Sequence, residues 1–564
     1  MQSSEVLKAK LKEIHRKGYP AYKTLKGSYR FEKYVLNIDH VQGDPFASPS
    51  KLSVEISMKD AGFNQNMYEL SFKRIALQDE LLRGVAKGLE KYSFQAKGSG
   101  KSGYLGTGHV TQQILERTAL MIKKDRMIVR MEAGFPANGR TVNSGELEKM
   151  LFEFLPEIVN QSLFYKNLNA KRIQNVLELS EDQQTIRTYI KEHNLVAFVG
   201  NGSILPRKSG VSDLPMKDAV VFESPKSMEV EITLPHAGKK KGLGIPLGIT
   251  LIVGGGYHGK STLLKALEQG VYNHVLGDGR EYVITESSAM KIRSEDGRSV
   301  SGVDISLFID HLPDEKDTTF FFTENASGST SQAANVVEAV QADAKLLLID
   351  EDTCATNFMV RDELMQKVIS KEKEPITPFI DRVRMLYEKQ KISTVLVAGS
   401  SGAYFYIADH IIQMDRYEAV DITEKVKTLL KETRVDTEEE KFPRSERVLK
   451  LGRLEKKHGQ IRTKVLGTDG ILIGRDKIDL SAVEQIVDAE QCETLANLMK
   501  VFLVKMEKEK AADIYMSIDD FCKEIEEHGI AGLEKLTSTQ DFCALVRKQE
   551  IYACVNRFRS FLKK

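Results

Sequence analysis

The sequence predicts an α/β protein: a core with a mostly parallel sheet, an α+β domain before it and a mainly helical domain behind it. Three observations predict this. An apolar, β-branched run from Ile249 to Val253 feeds a glycine-rich turn that passes into helix-forming sequence. Further apolar runs follow at Lys345–Ile349, Ser393–Val397 and Ile411–Met414. Strands alternating with helices imply parallel pairing. Near the C-terminus, Ser481-x-x-Glu484, Ser517-x-x-Asp520 and Thr537-x-x-Gln540 read as capping boxes, each ahead of an amphipathic helix.

Taken in order, residues 1–195 read as the N-terminal α+β domain. Val54 to Met58 alternates like a strand, and Met127 to Ala133 is a second candidate. Ile75 to Lys91 has helical periodicity through Ile75, Leu77, Leu81, Leu82, Val85, Ala86 and Leu89. Leu147–Phe164 and Arg172–His193 read as helices. Residues 196–425 form the core domain. Leu195–Val199 is a short buried strand, and the polar stretch Gly200–Gly210 behind it either touches phosphate or is a surface connection. Ser227–Leu234 is a strand leading to the basic turn Gly238–Gly242. Residues 426–564 hold a basic segment, a strand at Ile471–Asp479 and the helices.

At 564 residues the chain has room for roughly three to four domains. Its 81 basic and 80 acidic residues nearly cancel, so any nucleic-acid or membrane partner must be held by a local patch. No apolar run reaches the roughly 18 residues of a membrane span, and the first residues lack the apolar core of a signal peptide. The five cysteines form no C-x-x-C pair. An odd count without such pairs suits reduced thiols and a cytoplasmic location.

The chemistry lies in three segments. Gly254, Gly255, Gly256, Tyr257, His258, Gly259, Lys260 and Ser261 follow the phosphate-loop (Walker A) pattern G-x-x-x-x-G-K-[ST]. Glycines let consecutive N–H groups turn inward on a phosphate, and the helix N-terminus beyond, with Thr262 in its first turn, adds its dipole. Lys260 brings a point charge, and the Ser261 hydroxyl suits Mg²⁺. Leu346–Glu351 is an apolar strand ending in two acids: Asp350 is placed for the Mg²⁺ shell and Glu351 for polarising an attacking water. Ala326–Gln332 puts Ser327, Gly328 and Ser329 in a small-residue turn at a second helix N-terminus, another anion site.

These three segments together resemble the ABC ATPases, whose signature turn precedes the acidic strand by a similar interval; Ser327 stands 23 positions before Asp350. Cys354-Ala-Thr-Asn357 occupies the place of the D-loop. The departures are specific. Ser329 replaces the second signature glycine, and Asn357 replaces the D-loop acid. The switch histidine is missing after Ser393–Val397, where Ala398–Gly402 offers Ser400 or Ser401 instead. No glutamine lever is evident; Glu295 and Asp296 are the polar candidates. The aromatic that stacks on adenine has no assigned residue. With Val41–Ala47, Gly134–Arg140, Gly202–Asp213, Val303–Ser306 and Ile478–Gln485, the chain is similar to the predicted ATPases of the ABC class. The resemblance implies an ABC-type core flanked by two family-specific domains.

An ABC site needs a phosphate loop from one subunit and a signature from another. The expectation is therefore a homodimer closing on ATP and Mg²⁺, with hydrolysis driving conformational change. Its cargo is expected through Lys441–Lys464, where nine basic residues stand against two acidic ones. Arg444, Arg447, Lys450 and Arg453 recur at three-residue spacing and are expected to share a face. Such a patch suits RNA or DNA phosphates, or is a solvated face balanced by Glu438–Glu440. The alternatives are an ATP-dependent protein-assembly switch and the ATPase subunit of a transporter. Lys97–Gly103 imitates a phosphate loop, but Gln95 stands where its first glycine belongs, so it reads as a flexible basic loop.

Overall fold

Short apolar runs that are hydrophobic on both faces form strands covered on both sides. In chain order the core strands are β1 (Ile249–Val253), β2 (Met290–Ile292), β3 (Leu346–Asp350), β4 (Ser393–Val397), β5 (His410–Asp415) and β6 (Glu418–Asp421). They form one sheet in the order β2-β3-β4-β1-β5-β6. The pairings are parallel except that of β5 with β6, an antiparallel hairpin. The register sets Ile252 beside Val397 and Val397 beside Asp350, so the carboxyl ends of β1, β4 and β3 lie level along one edge. Helix α1 (Lys260–Gln269) leaves that edge from β1, and α2 (Gly328–Gln341) precedes β3. Leu251, Ile349 and Leu396 share one core with Val336 and Val337 of α2 and Val383 and Leu386 of the helix Phe379–Gln390.

This computed structural model describes residues 1–361, 374–399, 401–430, 447–457, 459–509 and 512–563. The chain forms two compact units, Met1–Glu181 with Gln540–Leu545, and Asp182–Thr539 with Val546–Lys564.

In the first unit a seven-stranded sheet is built around Ser50–Ser57, which pairs antiparallel with Val35–His40 and Arg126–Ala133. Leu52, Val54 and Ile56 enter the core from one strand, and Met127, Val129 and Met131 from the next, as the period of two requires. Helix Ser71–Tyr92 buries Leu77, Leu81, Leu82, Val85 and Leu89. The expected single helix over 147–164 is instead Ser144–Lys149, a π-helical turn Met150–Phe154, and Leu155–Leu163. Pro156 has no N–H to close an ordinary turn, and a local π register accommodates it. Lys97–Gly103 is no loose loop. Lys101 N–H donates to Pro45 O at 2.8 Å, and a Cβ at Gly103 would lie 1.9 Å from Ala96 O.

In the second unit a four-stranded sheet runs in the order Glu229–Leu234, Gly238–Pro246, Leu195–Gly200, Val283–Thr285. Gly238–Gly242 is thus the start of a strand and not a turn. Arg207–Ser209 and Ser212–Pro215 pair as a small hairpin within the stretch read as a polar loop and its continuation. The expected strand Ile471–Asp479 is a hairpin, Gly470–Ile473 with Asp476–Asp479. Three helices follow, Ala489–Glu509, Ile514–His528 and Ile530–Thr537, and then Lys548–Asn556.

The expected capping boxes are not caps. Ser481 donates its hydroxyl to Asp479 at 2.6 Å in a turn, and the next helix starts only at Ala489. Ser517 lies inside a helix capped by Asp513. Thr537 ends a helix and donates back to Leu533 O at 2.7 Å. Short hydroxyl side chains have several local acceptors, and the pattern alone does not choose among them. Among the described residues no helix is long and apolar enough to cross a membrane.

Candidate functional site

The site is built at the carboxyl edge of the parallel sheet, where open α/β sheets bind ligands. β1 ends at Val253, and Gly254 follows at φ +143°, with Met414 O so close that an added Cβ would lie 2.3 Å from it. The loop therefore runs hard against β5, and a glycine is required there. Gly255, Gly256 and Tyr257 face solvent. Gly259, at φ +97°, starts α1 without offering a side-chain cap, which leaves the first-turn N–H groups for an incoming acceptor. Lys260 folds back over the loop: its Nζ donates to Gly254 O and Gly255 O, both at 2.8 Å. Ser261 is exposed and Thr262 half-buried in the first turn.

Asp350 ends β3 on the same edge, two strands from β1 or about 10 Å at usual sheet spacing, and is only 7% exposed. Glu351 follows in a short 3-10 turn, and its Oε2 accepts from Gly399 N–H at 2.7 Å. The segment after β4 thus holds the carboxylate through backbone. Ser401 accepts from Ala403 N–H at 3.3 Å; Ser400 lies outside the described residues. Glycines with open N–H groups, a lysine above them, and a hydroxyl and carboxylate at the rim are the groups available to hold a polyphosphate and Mg²⁺.

The small-residue turn is a true helix start. Ser327 caps α2 by accepting from Thr330 N–H at 3.4 Å, and lies 3.0 Å from Thr330 Oγ1. Ser327 is exposed, Gly328 half-buried and Ser329 buried. A Cβ at Gly328 would meet Asp296 Oδ1 at 3.1 Å.

Glu295 is not a free lever. Its Oε2 accepts from Arg557 Nε at 3.1 Å and its Oε1 from Asn335 Nδ2 at 2.8 Å, while its own N–H donates to Ser331 Oγ at 2.8 Å. Arg298 pairs with Glu338 alongside, buried. Burial pushes the Glu295 carboxyl up, but Arg557 and Arg298 outweigh it and bring it down to about 2. Segment 294–298 is thereby tied both to α2 and to the C-terminal Arg557, a tie that short motifs could not reveal. The sequence also gave no sign of Asp415, whose Oδ1 lies 2.9 Å from His258 Nδ1, or of Tyr417, whose ring covers Gly259.

The basic stretch is only partly a surface. Residues 441–446 and 458 lie outside the described residues. Arg447 is 1% exposed and donates through Nε to Ser301 O at 2.7 Å. It leads into the strand Val448–Leu451, not a helix, so the expected common face with Lys450 and Arg453 does not form. Lys456 pairs with Glu507 at 2.7 Å. Lys450, Arg453, Arg462 and Lys464 are exposed.

Comparison with known families agrees with this geometry. The P-loop domain model of the ABC ATPases matches residues 169–448, and the N-terminal domain of ATPases of the ABC class matches residues 4–166. The chain belongs to the ABC class of P-loop ATPases. The MRB1590 C-terminal domain matches residues 462–563. A curated relative, an uncharacterized protein of Methanocaldococcus jannaschii, is 33% identical over 260 residues, covering 43% of this chain and 55% of its own length. The chain thus spans about half of that relative. Solved structures similar to it include cbiO1 from Clostridium perfringens, part of the ABC transporter complex cbiONQ. The identity is 11%, with 42% of this chain and 91% of that one covered and a TM-score of 0.26. Another is an ATP-binding cassette of an ABC transporter in its ADP conformation, at 12% identity, 42% and 94% coverage and a TM-score of 0.25.

Proposed function

We propose that this ABC-class protein hydrolyses ATP as a head-to-tail dimer of two copies and uses the cycle to act on nucleic acid. The observation that carries the reading is that one chain has one phosphate loop, exposed at Gly255, Gly256 and Tyr257, and one capped α2 start, exposed at Ser327. A second copy supplies the missing half of each site, and two-fold symmetry closes both.

In this reading the N–H groups from Gly254 to Thr262 and the Lys260 ammonium hold the phosphates, and Ser261 with Asp350 hold the metal. Magnesium, when bound, neutralises charge on the phosphate oxygens. Glu351, oriented by Gly399 N–H, takes the proton of the attacking water. Ser327, Gly328 and Ser329 of one copy cap the terminal phosphate held by the other, and Ser400 takes the place of the absent histidine. The division into 1–195, 196–425 and 426–564 is kept as the set of parts that the cycle moves.

Exposed Lys450, Arg453, Arg462 and Lys464 support the nucleic-acid half. Burial of Arg447 and pairing of Lys456 favour the second reading, a protein-assembly switch.

Phosphate release from ATP, followed with single-stranded and duplex oligonucleotides at two salt concentrations, tests both halves. The expected result is release that Lys260→Ala abolishes, with oligonucleotide binding that weakens as salt rises. Release without oligonucleotide binding at low salt would leave the assembly switch. No release would overturn both readings.

A further inference from the structure

Lys97–Gly103 copies a phosphate loop in sequence, but its backbone donors are already engaged. Lys97 N–H donates to Glu146 Oε2 at 2.9 Å, Ser99 N–H to Ala137 O at 2.8 Å, Lys101 N–H to Pro45 O at 2.8 Å and Gly103 N–H to Gly134 O at 2.9 Å. Gly134 packs so tightly against the loop that an added Cβ there would lie 1.7 Å from Lys101 O. The loop is therefore a firm surface whose outward groups are side chains.

Two aromatic rings stand on that surface in water. Phe46 is 63% exposed and Phe94 is 54% exposed. An added Cβ at Gly100 would come 2.9 Å from Phe46 Cδ1, which puts that ring beside the loop. Phe94 stands at the start of the loop: its N–H donates to Gly103 O at 2.7 Å, and its ring centre lies 5.8 Å from that of the half-buried Tyr104. Phe94 also has φ of +62°, a costly region for a bulky side chain. Strain of this kind collects at binding sites.

Cations flank the rings. Lys101 belongs to the loop itself. Arg140 follows Gly139, whose N–H donates to Ser99 Oγ at 2.9 Å, and Arg140 O accepts from Tyr19 N–H at 2.9 Å. Arg16 N–H donates to Val142 O at 3.1 Å, which brings Arg16 to the same segment. Arg16, Lys101 and Arg140 are exposed and, among the described residues, form no ion pair. Neighbouring carboxylates are turned to other donors. Asp44 accepts from Phe46 N–H at 2.8 Å and from Ala47 N–H at 3.1 Å, and Glu146 pairs with Lys149 at 2.6 Å. All these groups lie in the first unit.

We infer that this face of the first unit binds single-stranded nucleic acid, with Arg16, Lys101 and Arg140 on its phosphates and bases stacked on Phe46 and Phe94. Cations without carboxylate partners attract a polyanion. Exposed rings accept the flat faces of bases, and an unpaired strand is the form that offers those faces. The inference rests on the nucleic-acid half of the proposed function and adds to it a surface other than the basic residues of the second unit.

Fluorescence anisotropy of the full-length protein with an end-labelled single strand, and with an abasic strand of the same length, tests it. The variants are Phe46→Ala, Phe46→Tyr, Phe94→Gly, and Lys101→Gln combined with Arg140→Gln. Glycine relieves the left-handed backbone at position 94, and the other side chains are exposed, so the fold is not at risk. Phe46→Ala and Phe94→Gly are each expected to weaken the base-bearing strand about tenfold and to leave the abasic strand within about twofold, while Phe46→Tyr binds as the wild type does. The double glutamine variant is expected to weaken both strands and to lower the slope of log affinity against log salt by about one. Equal loss of both strands in the aromatic variants would make the rings props of the loop and overturn the inference. Unchanged binding in every variant would overturn it too, leaving the strand to the second unit and this face to a protein partner. A wild type that binds neither strand is a separate outcome, because it removes the nucleic-acid reading itself.

Discussion

Lys260 sits where it does because Gly254 has no side chain. The loop passes so near Met414 O that only a glycine fits at φ +143°, and the lysine then reaches back over two loop carbonyls. This part of the site was legible in the sequence, because a phosphate cradle is made of contiguous backbone. Glu295 was not: its partner Arg557 stands 262 positions away. The pair has a measurable signature. Folding holds the Glu295 carboxyl down to about 2 against an ordinary 4.5. The carboxylate stays charged in the folded chain at a pH where the unfolded chain is already protonated. Its contribution is therefore complete above about pH 4.5 and is lost as pH falls toward about 2. Chemical denaturation at a series of pH values is expected to show that fall, and Glu295→Gln is expected to flatten it. An unchanged slope in the variant would contradict the pairing.

At the scale of elements, the apolar runs of β1, β3, β4 and β5 could be read directly, because buried parallel strands need no alternation. β2 has three residues and β6 four, too few to show a pattern. The C-terminal helices were anticipated but their starts were not. A Ser-x-x-acid spacing also occurs within helices, and Ser517 is buried in the first turn of one, four residues past its cap. The cap is Asp513, which accepts from Tyr515 N–H at 2.9 Å and from Met516 N–H at 3.4 Å. Asp513→Ala is expected to cost about 1 kcal/mol in denaturant unfolding. A cost well below that would mean that the helix start is held by its packing and not by its cap.

For the whole molecule, the sequence showed three motifs of one ATPase class, and the fold brings two of them, the phosphate loop and Asp350–Glu351, to one sheet edge. The third begins at Ser327, the exposed cap of α2. In the proposed dimer each chain supplies half of each site, so its test is one of assembly. In the proposed cycle, removing the Glu351 carboxylate separates closing from opening, because ATP would then bind and not be turned over. Sedimentation of Glu351→Gln with Mg²⁺, with and without ATP, is the most direct measurement. Monomer is expected without nucleotide and dimer with it, the dimer being lost again when Ser327→Arg is added. A Glu351→Gln protein that binds ATP and remains a monomer would contradict it.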